Sequence, residues 1–83
     1  MFTGIIEQTG KVKETIVTGG NTTFWIESPL STELKVDQSL AHNGVCLTVE
    51  EIIGNSHRVT AVHETLIKTN LGLLQPGDTV NLE

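Results

Sequence analysis

Glycine and proline cut this chain into pieces too short for long helices. Turn signals stand at Gly19-Gly20-Asn21, Ser28-Pro29, Asn43-Gly44, Gly54-Asn55-Ser56, Leu71-Gly72 and Pro76-Gly77-Asp78. Between them lie segments of about five to nine residues rich in Thr, Val and Ile, whose branched side chains fit a pleated sheet. Strands are expected over 4–9, 11–18, 22–27, 39–42, 45–53, 57–63 and 79–82. The first two read as one bent strand, leaving about six. Gly20-Asn21 suits a two-residue hairpin turn, since both residues accept positive φ, and Gly54-Asn55-Ser56 suits a three-residue one. Residues 31–34, after Pro29, suit one helical turn. Residues 64–71 set Leu66 and Asn70, and Ile67 and Leu71, at i, i+4 spacing, with Gly72 as the stop. Neither helical piece stands without tertiary support.

At 83 residues this is one small domain, and such a chain buries only about 60% of its unfolded surface. A flat sheet of short antiparallel strands would leave open edges and one wet face. Closure removes both problems. The expected architecture is therefore all-β, a six-stranded antiparallel Greek-key closed barrel with one or two short helical turns, a count of about six following from the turn spacing.

Charge narrows the partners. Ten acidic against five basic residues give a net charge of −5, and the cations Lys11, Lys13, Lys35, Arg58 and Lys68 are scattered. Nucleic acid needs a basic stripe with stacking aromatics; this chain has no Tyr and only Phe2, Phe24 and Trp25, so an oligonucleotide module ranks last. No apolar run exceeds three residues, so no membrane partner is expected. A lone cysteine makes no internal disulfide, and a cytoplasmic location is expected. His42, His57, His63 and Cys46 lack metal-ligand spacing, so no metal is expected. His42 reads as an exposed loop histidine, with a nucleophile–base pairing to Cys46 as the sharper alternative. Trp25 reads as core or as a plug at one barrel end.

Side chains alternate along a strand. Val45, Leu47 and Val49 form the inward set of the central segment, which turns Cys46, Thr48 and Glu50 outward. In the following strand Val59 and Ala61 oppose Arg58, Thr60 and Val62. Pairing of 45–53 with 57–63 as a hairpin would place a thiol, two hydroxyls and main-chain groups on one outer patch, suited to a flat polar heterocycle. The plainer reading is a small inert thiol among ordinary solvent-facing threonines.

Four blocks carry a family resemblance: Met1-Phe2-Thr3-Gly4-Ile5-Ile6-Glu7, Ser39-Leu40-Ala41-His42-Asn43-Gly44-Val45-Cys46-Leu47-Thr48-Val49, Glu64-Thr65-Leu66 with Thr69-Asn70-Leu71-Gly72, and Pro76-Gly77-Asp78-Thr79-Val80-Asn81-Leu82-Glu83. In order and spacing they resemble the first of the two tandem lumazine-binding barrels of riboflavin synthase, so that 1–83 reads as one such barrel. The resemblance implies dismutation of two 6,7-dimethyl-8-ribityllumazine molecules, one donating a four-carbon unit to the other, to give riboflavin and a ribitylamino-pyrimidinedione. It implies no metal or organic cofactor, because the acidic 7-methyl group lets the substrate activate itself.

Matching the blocks residue by residue implies ligand contacts at Gly4, Ile5 and Ile6, at Cys46, Leu47 and Thr48, and at Thr60, Ala61, Val62, His63, Glu64 and Thr65. It implies roles at the reacting centre for Ser39 and Cys46. Position 60 is Thr where relatives often carry Asp, and Val45 stands beside the single thiol. Members of the family run to roughly twice this length, and a catalytic histidine lies in their second barrel. A lone barrel is thus expected to be weakly active or inactive, supplying one ring-binding half-site. It is also expected to self-associate, as a dimer of isolated barrels or a trimer for a two-barrel chain. A non-catalytic lumazine or flavin carrier is the alternative; retention of Ser39 and Cys46 leans toward the enzyme.

Overall fold

The sheet is organised around one long strand. In the computed structural model, which describes residues 8–83, β1 (Gln8–Thr18) pairs through Gln8–Lys11 with β7 (Thr79–Leu82) and through Lys11–Thr18 with β2 (Asn21–Glu27). Its register with β2 shifts between Val12 and Glu14, and such a bulge bends the strand and raises its twist. The single bent strand expected in this region is present over the described residues; 4–7 lie outside them. β3 (Ser39–His42), β4 (Val45–Thr48), β5 (Glu51–Ile53) and β6 (Ser56–Ala61) complete a seven-stranded antiparallel sheet in the order β4-β3-β7-β1-β2-β6-β5.

The count is seven rather than six because the expected strand 45–53 changes partner midway. Val49 donates its N–H to Gln38 O, continuing the β3–β4 ladder, whereas Glu50 donates to Arg58 O and opens the β5–β6 ladder. The two strands at the ends of the sheet order are thus separated in sequence by only Val49 and Glu50. The expected pairing of Cys46 and Thr48 with the 57–63 strand is corrected: they face Ala41 and Ser39 of β3, and only 51–53 pairs with 56–58. The hairpin turns also differ from expectation. Both have two residues, Gly19-Gly20 between Thr18 and Asn21, and Gly54-Asn55 between Ile53 and Ser56.

Short helical pieces cover the sheet ends. A 3-10 turn over Pro29–Glu33 is capped by Ser28, whose hydroxyl accepts from Leu30 N–H. Helix α1 (His63–Lys68) ends before Thr69, and a 3-10 turn follows over Asn70–Leu73. Gly72 sits inside that turn rather than stopping α1; Thr69 makes the break, its side chain donating to Thr65 O and accepting from Leu71 N–H. Inside the sheet, Val12, Phe24, Ile26, Val49, Val59, Val80 and Leu82 are buried with Leu71. Trp25, expected in the core or at a barrel end, is only partly buried, because alternation gives the inward positions to Phe24 and Ile26.

Two histidines cross this core. His42, expected on the surface, is 1% exposed, and His57 is fully buried. Their Nε2 atoms lie 2.9 Å apart; His42 Nδ1 meets Leu40 O at 3.0 Å, and His57 Nδ1 meets Ser31 Oγ at 2.7 Å. A carbonyl only accepts, so His42 carries its proton on Nδ1 and its Nε2 accepts. Hence His57 donates through Nε2 and accepts from the Ser31 hydroxyl. Neutral rings satisfy every bond in this chain. Burial, with the neighbouring His57 adding to it, lowers the His42 pKa from 6.5 to about 4, and burial lowers His57 to about 4.

Both rings therefore bind a proton more tightly in the unfolded chain. Their contribution to stability is complete above about pH 6.5 and is lost as pH falls toward 4. The slope is up to about 1.4 kcal/mol per pH unit for each histidine. Urea midpoints measured between pH 7.5 and 5 are expected to fall steadily, and His57→Leu, less stable throughout, is expected to flatten that fall. Packing makes a second prediction. A Cβ on Gly10 would stand 2.8 Å from Ile26 Cγ2 and 3.1 Å from Glu27 O. Gly10→Ala is thus expected to cost about 1–3 kcal/mol, read from thermal melting.

Candidate functional site

The β3–β4 hairpin carries the first group of candidate residues. Asn43 and Gly44 form its turn with φ of 51° and 84°, a pair of positive values that the Asn-Gly dipeptide accommodates. Asn43 ties that turn to β7, donating its N–H to Asn81 O and accepting from Asn81 N–H through Oδ1, both at 2.8 Å. Within the hairpin Ser39 stands opposite Thr48, and Ala41 opposite Cys46. Ser39, Cys46 and Thr48 are all exposed. Ser39 and Cys46 are therefore diagonal neighbours on one face, a spacing of about 7–8 Å between strands. Leu47 points inward and is buried, so on this wall it offers only its main chain.

The second group follows from β6 into α1. Ala61 is fully buried, again leaving only main-chain groups for contact, whereas Thr60 on the opposite face is part-exposed. Val62 and His63 are exposed where the strand gives way to the helix. His63 N–H donates to Asn21 Oδ1 at 3.1 Å, pinning the helix start to the β1–β2 hairpin. Glu64 is exposed and paired with Lys68 Nζ at 2.7 Å, and Thr65 is half-buried. Gly4, Ile5 and Ile6, the third group, lie outside the described residues.

The first two groups meet across the partner change in 45–53. Glu50 continues the outward series of Cys46 and Thr48, and its Oε1 accepts from Thr60 Oγ1 at 2.9 Å and from Arg58 Nε at 3.1 Å. Thr60 Oγ1 lies 2.9 Å from Thr23 Oγ1, its cross-strand partner in β2. Arg58 also reaches Glu51 at 2.9 Å and lies over the Trp25 ring, 5.8 Å from its centroid. Glu50, Thr23 and Arg58 were not singled out from the sequence as site residues. Period-two alternation from Cys46 was the available signal for Glu50; nothing in the linear order pointed to Thr23.

A cleft of about 620 Å³ lies beyond the other end of β4, between the Asn43-Gly44 turn, Lys68–Leu71, Asn81 and Glu83. None of the described candidate ligand residues lines it. On the outer wall Cys46 and Thr48 are both exposed. His42 points into the core, away from Cys46 on the outer face, so the pairing of the two as base and nucleophile is corrected: its Nε2 is held by His57. Among the described residues no group of three or more His, Cys, Asp or Glu is placed to hold a metal ion, and no helix is long and apolar enough to cross a membrane.

Comparison with known proteins agrees with this architecture. Crystal structures of LumP complexed with riboflavin and with 6,7-dimethyl-8-(1'-D-ribityl) lumazine superpose with TM-scores of 0.93 and 0.91 at 26% identity, covering all of this chain and 46% and 47% of those chains. Riboflavin synthase from Escherichia coli (strain K12) is 44% identical over 85 residues, and that from Mycobacterium tuberculosis (strain CDC 1551 / Oshkosh) is 42% identical over 87. The chain is covered completely in both cases but spans only 40% and 42% of those relatives. The family of the lumazine binding domain matches residues 3–83, and the chain belongs to that family.

Proposed function

We propose that this chain binds the ring of 6,7-dimethyl-8-ribityllumazine, or its product riboflavin, on the outer wall formed by Ser39, Cys46, Thr48 and 60–65, and supplies one half-site of a riboflavin synthase. The observation that carries this reading is the seam at Glu50, which joins two separate groups of candidate residues into one polar face on a chain matched by the lumazine binding domain over residues 3–83. In this reading 45–53 counts as one bent strand and the sheet as a closed six-stranded Greek-key barrel; the Glu50 N–H to Arg58 O bond supports that count.

The reaction asks little covalent chemistry of the protein. Two lumazines exchange a four-carbon unit, and the atoms of both are conserved in riboflavin and the ribitylamino-pyrimidinedione. Catalysis then consists of holding the rings together and favouring the 7-methyl anion. Ser39 serves as a hydrogen-bonding group at a ring nitrogen, and Cys46, or a water that it holds, as the nucleophile that adds to the acceptor ring. Main-chain groups at Leu47 and 61–63 take the pyrimidinedione edge, together with Gly4, Ile5 and Ile6. No metal or organic cofactor enters. One exposed wall covers one side of one ring, so turnover needs a second wall, and the chain acts as a homo-oligomer in the cytoplasm.

A second reading, a carrier that binds the ring without turning it over, is favoured by the likeness to LumP. Titration with riboflavin separates both from a barrel with no ring site: saturable quenching of flavin fluorescence in the tens of micromolar is expected, and its absence would overturn both readings. Cys46 is the chain's one cysteine and is exposed. Its reaction with a small disulfide reagent is expected to be fast in the native protein and slowed severalfold by saturating riboflavin. An unchanged rate with flavin bound would place the ligand elsewhere. Cys46→Ala is expected to spare flavin binding within about threefold; in a two-barrel chain, loss of lumazine turnover on the same substitution supports the enzyme, whereas a two-barrel chain that binds without turnover supports the carrier.

A further inference from the structure

We propose that Glu50 is a positioning residue of the ring-binding face: by taking the Thr60 proton, it makes the Thr23–Thr60 hydroxyl pair an acceptor that selects ligands presenting an N–H or O–H donor. This rests on the reading above. The polarity follows from the bonding. An ionised carboxylate only accepts, so at 2.9 Å from Glu50 Oε1 the Thr60 hydroxyl donates. Thr23 Oγ1, 2.9 Å from Thr60 Oγ1, must then donate to Thr60, whose proton is already committed. Each hydroxyl has a single proton, and both are used within the network. What remains toward solvent is lone pairs alone.

Arg58 makes this arrangement rigid. Its Nε donates to the same Glu50 oxygen, and its other arm holds Glu51 at 2.9 Å while the guanidinium lies over Trp25. The carboxylate is therefore fixed in place from a second direction, and bonds to a charged acceptor are stronger than neutral ones. A carbonyl edge set against two acceptors would be left without a partner, and an unmatched polar group in a contact costs more than a matched one gains. On a lumazine or flavin the available donors are the ring imide N–H and the ribityl hydroxyls. Both satisfy the same acceptor pair.

The test uses the whole chain and three ligands: riboflavin, 3-methylriboflavin, which lacks the imide donor, and lumiflavin, which lacks the ribityl hydroxyls. The parent chain is expected to bind riboflavin about tenfold more tightly than one of the two analogues, and which one identifies the donor. In Glu50→Ala the Thr60 hydroxyl is free to donate. That preference is expected to shrink to within about twofold, while affinity for the disfavoured analogue holds or improves. Thr60→Val is expected to erase the preference in the same way. Glu50 is exposed and Arg58 keeps its bond to Glu51, so the variant should melt within a few degrees of the parent. A purely structural role would weaken all three ligands equally. An unchanged preference in Glu50→Ala, or a parent chain that binds all three alike, overturns the inference and leaves ring binding standing. A parent chain that binds none of them removes ring binding and the inference with it.

Discussion

The change of partner at Val49 and Glu50 is the constraint on which the outer wall depends. Two adjacent N–H groups donate to different strands, Val49 to Gln38 O and Glu50 to Arg58 O, both at 2.8 Å. Had the ladder continued along β3, Glu50 would lie beyond the reach of β6 and Thr60. Had it paired with β6 throughout, Ser39 would lose Thr48 as its neighbour. Only the handover puts Ser39, Cys46, Thr48, Glu50 and Thr60 on one surface. Main-chain bonds fix this placement, so it tolerates changes in side chains that a side-chain network would not.

The same hairpin is anchored on its inner side by the histidine pair. His42 ends β3, three residues after Ser39 and four before Cys46. Its Nε2 reaches His57 in β6, and His57 reaches Ser31 beneath the 3-10 turn. Buried polar chains of this kind cost stability relative to an apolar core of equal packing, but they specify one arrangement, because each bond has a direction. A small domain with little apolar core gains from such specification: sliding of β3 would break the His42–His57 bond and leave two buried ring nitrogens unmatched. No buried side-chain nitrogen or oxygen is left without a partner among the described residues.

How much of this was legible in the sequence follows from the range over which each feature acts. Alternation is a local property, so the exposed set of Cys46, Thr48 and Glu50 and the buried set of Leu47 and Val49 could be read directly. So could β3 and β7, bounded by clear turn residues. Partner choice is not local. The sequence reads 45–53 as one strand paired with its successor, and nothing in it marks residue 49 as the point where the partner changes. The histidines fail for the same reason. His42 stands beside a turn and reads as exposed, and its burial depends on His57, fifteen residues away. Trp25 was misplaced because size suggested core, whereas register assigns the inward positions to Phe24 and Ile26. The candidate residues themselves came from a family resemblance. Composition alone would not have separated Cys46 from any inert thiol.

Packing decides where a ligand can lie. Val49, Val59, Ala61, Val80 and Leu82 are fully buried from β6, β7 and the segment that joins β4 to β5, so the described side chains of the sheet fill its interior. In the proposed reading a ring rests on the outside, with one face against the wall formed by Cys46, Thr48 and Thr60. Stacking and desolvation on one side alone leave half of the available contact unused. The proposed dismutation would ask for the complementary arrangement, two rings brought face to face with water removed between them. An outward-facing half-site therefore fits a reaction between two identical substrates better than it fits most chemistries, in which a single substrate is best enclosed by a single protein fold.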